Sequence, residues 1–154
     1  MVKYSYYPGN VARQSSQEVE DTIQPLARSL GIELIEMVGF NGDGGNIIKQ
    51  GNRDLQLALN ARNFALAELN GHDIITPCAS AQGIMHESLS IFKNNAIALA
   101  DANRVLEKTT GMTLNAEELQ TKLFSKIIKH VKSKKKFNFK NFNLEITTNC
   151  KECS

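Results

Sequence analysis

The chain has 154 residues, 42% hydrophobic and 22% charged, which suits one globular domain able to bury most of its apolar surface. No run of about 18 apolar residues occurs, so no membrane span is expected. Met1-Val2-Lys3-Tyr4-Ser5-Tyr6 lacks the apolar core of a secretory signal, so the expected location is cytoplasmic, with membrane association only through partner subunits.

The net charge of +2 conceals two unlike parts. Residues 1–121 hold nine Lys/Arg against fourteen Asp/Glu, whereas residues 122–154 hold nine Lys against two Glu. A basic tail on an acidic body suits an anionic surface, but a solvated and frayed terminus is the favoured reading. Three cysteines (Cys78, Cys150 and Cys153) are an odd count that argues against a disulfide framework and for free thiols.

In chain order, Val2 to Tyr7 reads as a strand stopped by Pro8-Gly9. Ser15 and Glu18 form a capping box for a helix whose apolar stripe is Val19, Ile23, Leu26, Ala27 and Leu30. Pro25 inside that stripe is expected to kink it or loosen a turn, and Gly31 closes it. Ile32 to Val38 reads as a second, largely covered parallel strand. The loop that follows has four glycines in the seven residues 39–45, which lets the backbone approach a neighbour or adopt positive φ. A helix then runs from an Asn52 cap to Leu69 and closes at Asn70-Gly71.

Ile74-Ile75 is the third strand, and a helix follows from about Gly83 through Phe92, continuing or restarting to Lys108. Asn115 with Glu118 predicts a further cap, and Leu119, Leu123, Ile127 and Val131 predict one stripe of a last helix. From Lys132 the sequence turns to Lys, Asn and Phe without a core-forming period. The reading is a small three-layer α/β domain over residues 1–131, with a short parallel sheet flanked by helices, and a basic tail over 132–154.

Alternating strands and helices make the strands parallel. The loops around Asn10, Gly42-Asp43 and Cys78 all follow strands, so they gather at the carboxyl edge of the sheet, where such folds place ligands. The glycine loop lacks the G-x-x-x-x-G-K-[ST] spacing of a phosphate loop. His72, His86 and His130 show no base-like placement, and are read as surface or satisfied residues. Cys78, ahead of a helix N-terminus, is either a thiol activated by the helix dipole or a small residue packing a turn. Cys150-Lys151-Glu152-Cys153 is half of a C-x-x-C metal site with no second pair.

Taken together, Tyr6-Tyr7-Pro8-Gly9-Asn10, Gly31-Ile32-Glu33-Leu34, Gly39 to Gly44, Asn60-Ala61-Arg62-Asn63 and Asp73 to Gly83 resemble the cysteine-rich CCG domain. That domain occurs in the B subunit of heterodisulfide reductase and in the E-type (or C-type) subunit of some succinate dehydrogenases and fumarate reductases. The resemblance covers roughly residues 2–108 and implies an electron-transfer subunit with other oxidoreductase subunits as partners, nucleic acid not being expected. The family pattern is a Cys, then Cys-Cys-Gly, then Cys-x-x-Cys, binding an iron–sulfur cluster. Carried onto this chain, the cluster-equivalent positions are Asn10, Gly42, Asp43, Cys78 and Ala81. The gaps survive, 31 residues over 11–41 and 34 over 44–77, but Cys78 is the one thiol left in the set. Since a cluster needs several thiolates, no cofactor is expected, no catalytic residue is assigned, and Cys78 alone remains a candidate metal ligand. The expected role is structural or docking; the alternative is a small thiol- or ligand-binding protein using Cys78 at the sheet edge.

Overall fold

A computed structural model describes residues 1–9 and 17–127. Asn10, Ser15 of the capping box, His130, Val131, the basic tail, Cys150 and Cys153 lie outside the described residues. The described elements run β1 (Val2–Tyr6), α1 (Gln17–Ser29), β2 (Ile32–Glu36), α2 (Asn46–Gly51), α3 (Arg53–Asn70), β3 (Ile74–Thr76), α4 (Ala79–Asn94), α5 (Ala96–Thr110) and β4 (Thr121–Leu123).

The strands form one sheet in the order β2-β1-β3-β4, all parallel, with Tyr4 opposite Leu34 and Ser5 opposite Ile74. Side chains alternate between the faces of a strand, and adjacent residues accordingly enter different cores. Tyr6 and Ile75 pack with Ile23, Ala27 and Leu30 from the α1 side. Tyr7 and Ile74 pack with Phe64, Met85, Phe92 and Leu106 from α3, α4 and α5. Helices therefore cover both faces, as the three-layer reading requires.

Helix α3 starts where Asn52 Oδ1 accepts the Leu55 N–H at 2.9 Å, and ends at Gly71 with φ +70°. The α4–α5 break falls at Asn95, whose Oδ1 accepts from Ile97 and Ala98, each at 3.1 Å. Pro25 lies inside α1, and the helix runs through it to Ser29.

Three expectations are corrected. Strand β2 is an edge strand, with Ile32 buried and Glu36 exposed, so it is only partly covered. The stripe Leu119–Leu123–Ile127 is not one helix: Thr121–Leu123 pairs with β3, with Ile74 opposite Thr121 and Thr76 opposite Leu123. The pairing is fixed by Asp73, whose Oδ1 accepts the Gln120 N–H at 3.0 Å while Oδ2 lies 2.6 Å from Lys122 Nζ. Asn115 caps nothing either. Its N–H and that of Ala116 are taken by the Glu68 carboxylate at 3.0 and 2.7 Å, which holds Ala116 at φ +67°. Helical turns resume over residues 124–127.

Candidate functional site

Parallel pairing brings the ends of β1, β2 and β3 to one edge. The loops after β1 and β3 touch there. Gly9 has φ +81°, and a Cβ built on it would stand 2.9 Å from Cys78 Cβ and 3.5 Å from its Sγ. The backbone can pass Cys78 this closely only because position 9 has no side chain.

Tyr7 joins the second loop to the same place. Its N–H donates to the Ile75 carbonyl at 2.9 Å, its ring meets Phe40 edge-on at 5.2 Å, and its hydroxyl donates to the Asn41 carbonyl at 3.3 Å. Burial pushes the Tyr7 phenol far above its ordinary pKa of 10.0, and the negative charges of Asp43 and then Cys78 add to the rise, with the Asp43 backbone opposing them. A group raised in the folded state contributes stability that is fully present below its unfolded pKa and is lost progressively as pH rises from there through its folded pKa. Unfolding midpoints in urea are therefore expected to fall above pH 10, relative to those of Tyr7→Phe. Parallel curves for the two proteins between neutral pH and the alkaline limit would contradict this.

The loop between β2 and α2 lies against α3. Asn63 Oδ1 accepts the Asn41 N–H at 3.0 Å, and Asn63 Nδ2 donates to the Asn41 carbonyl at 2.9 Å. Asn41 Nδ2 donates to the Leu59 carbonyl at 3.0 Å, and Arg62 donates to Asn41 Oδ1 at 3.0 Å and to the Gly39 carbonyl. Asn60 Nδ2 donates to the Asp43 carbonyl at 2.7 Å and to the Gln56 carbonyl at 2.9 Å. Asn60 Oδ1 is buried without a protein partner among the described residues.

Of the five cluster-equivalent positions, Asn10 lies outside the described residues. Gly42 and Asp43 stand in the loop on α3. The Asp43 side chain is buried, with Oδ1 accepting the Gly45 N–H at 2.8 Å. Cys78 is half-buried just before α4, its N–H donated to Thr76 Oγ1 and its Sγ 3.1 Å from Ser80 Oγ. Ala81 points into the apolar core beside Phe64 and Met85. The fold thus gathers Gly9, the 39–45 loop and Cys78, and turns Ala81 away from solvent.

The donor chemistry at this edge does not fit an iron–sulfur cluster. Such a cluster is held by several thiolates; Gly42 and Ala81 offer no donor atom, and the Asp43 carboxylate is engaged by its own loop. Among the described residues, no group of three or more His, Cys, Asp or Glu is placed to hold a metal ion. His72 lines a cavity of about 340 Å³ with Glu68 and Asp73 at the opposite end of the sheet. His86 lines another of about 360 Å³ with Lys93 and Thr121. The sequence names Tyr7, Asn41, Asn60 and Asn63 only as part of the resemblance and gives them no role at this edge. Two asparagines in an Ala/Leu-rich helix, where their propensity is poor, were the available signal.

No family model matches the chain. It is 27% identical over 133 residues to the 8-methylmenaquinol:fumarate reductase membrane anchor subunit of Wolinella succinogenes, covering 79% of this chain. The chain spans about half of that subunit, 47% of its length. A crystal structure of a hypothetical protein from Helicobacter pylori superposes with a TM-score of 0.68 at 20% identity, over 77% of this chain and 24% of the other. That likeness establishes a shared α/β fold. No helix among the described residues is long and apolar enough to cross a membrane.

Proposed function

We propose that this chain is a cluster-free subunit on the CCG framework, with a docking or structural role in an oxidoreductase complex of the fumarate reductase or succinate dehydrogenase kind. The observation that carries the reading is the 27% identity to a fumarate reductase subunit, joined to a carboxyl edge with one thiol in its cluster-equivalent set. The relative's place in a fumarate reductase favours this branch over heterodisulfide reductase. Its partners are the electron-carrying subunits of such a complex, and contact with the membrane comes through them.

Anaerobic purification followed by iron and acid-labile sulfide assays tests the cluster-free part. The expected protein is colourless, with neither element in stoichiometric amount. Brown protein with broad visible absorption and matching iron and sulfide would sink it.

The partial exposure of Cys78 beside Ser80 favours a second reading, a thiol- or ligand-binding role at the sheet edge. Alkylation separates the two. Slow modification of Cys78 near neutral pH supports the docking role, and fast modification supports the thiol role.

A further inference from the structure

We propose that an amide face of α3, and not a bound metal, gives the carboxyl-edge loop its shape. Gln56, Asn60 and Asn63 are spaced four and three apart, which puts them on one side of the helix, and all three are buried. The Asn63 carboxamide meets the Asn41 peptide in both directions, at 3.0 and 2.9 Å, as a neighbouring strand would. Asn60 holds the Asp43 carbonyl at 2.7 Å. Arg62 reaches the Gly39 carbonyl and Asn41 Oδ1.

Between these contacts the chain lies flat on the helix. A Cβ on Gly44 would come within 3.1 Å of Gln56 Cγ and 3.3 Å of its Cα. Gly39, Asn41, Asp43 and Gly44 are thus each fixed by α3. A loop waiting for a metal keeps its ligands free and takes its final shape on binding; this one already has the Gly39, Asn41 and Asp43 carbonyls, the Asn41 N–H and Asp43 Oδ1 hydrogen-bonded within the protein. Asparagine is a poor helix former, so two of them buried in α3 are accounted for by what they hold. The assignment rests on the cluster-free reading of the site, but it can fail separately from it.

Hydrogen–deuterium exchange on the full chain tests it, following residues 39–45 against the β1 amides. Three samples are compared: untreated, treated with EDTA and dipyridyl, and incubated anaerobically with ferrous iron and sulfide. Equal loop protection in all three is the expected result. Asn63→Leu, which strands the Asn41 peptide, is expected to speed loop exchange by about tenfold or more while β1 is unchanged. Should Asn63→Leu fail to fold, Asn60→Ala, which releases the Asp43 carbonyl, is expected to act in the same direction. Loop protection that appears only with iron and sulfide would overturn the proposal, as would either folded variant exchanging like the parent. A cluster forming on a loop already protected without it would overturn the cluster-free function and leave the α3 assignment standing.

Discussion

Gly9→Ala is expected to destabilise the domain by roughly 2–4 kcal/mol, combining the cost of a side chain at positive φ with that of overpacking. Both arise at one place. Position 9 has φ +81°, and the new methyl would sit 2.9 Å from Cys78 Cβ. The strand ends that place Gly9 and Cys78 are pinned by the Tyr7 N–H to Ile75 bond, so neither loop can step aside without disturbing the sheet. A double-mutant cycle isolates the contact. Cys78→Gly removes the Cβ that Gly9→Ala strikes, so the pair is expected to be less harmful than the sum of the singles by about 1 kcal/mol or more. Urea midpoints of the four proteins give the answer. Strict additivity would mean that the loops after β1 and β3 do not meet as described.

Phe64→Ala is expected to cost about 3–5 kcal/mol, the usual range for emptying a large aromatic site in a packed core. Phe64 is fully buried, and its ring meets Phe92 edge-on at 6.2 Å and 84°, tying α3 to α4. The same helix carries Asn60 and Asn63 to the loop, so loosening it should disturb the candidate site as well as the core. A total stability of roughly 5–15 kcal/mol is typical of single domains, and the variant is expected to unfold at much lower denaturant. A loss below about 1 kcal/mol would contradict the placement of Phe64 at the centre of the core.

Much of the framework was legible because its signals are local. The Asn52 cap and the glycine at position 71 bound α3 as expected, and alternating strands and helices implied the parallel sheet. That parallelism carried the expected convergence of the loops around Asn10, Gly42-Asp43 and Cys78, a topological inference needing no side-chain detail. The structure shows it for the first loop at Gly9, Asn10 lying outside the described residues. Strand β4 was hidden because its three residues sit within a four-residue apolar spacing that also suits a helix. Only pairing with β3 and the grip of Asp73 decide its conformation. Helix α2 was hidden by its position directly after a glycine-rich loop. The amide face of α3 was missed for a different reason. Polar residues on a helix read as solvent-facing, whereas Asn60 and Asn63 are buried against a loop that needs hydrogen-bond partners. The inward turn of Ala81 follows from the pitch of α4, which puts it on the same side as the apolar Met85, Leu89 and Phe92.

Affinity purification of the tagged full chain from detergent-solubilised native membranes tests the central claim most directly. The expected eluate contains flavin- and iron–sulfur-bearing subunits in fixed ratio to the chain, and oxidises reduced viologen when fumarate or its counterpart acceptor is supplied. A chain that elutes alone after gentle solubilisation, with the reductase activity left entirely in the flow-through, would contradict a subunit role.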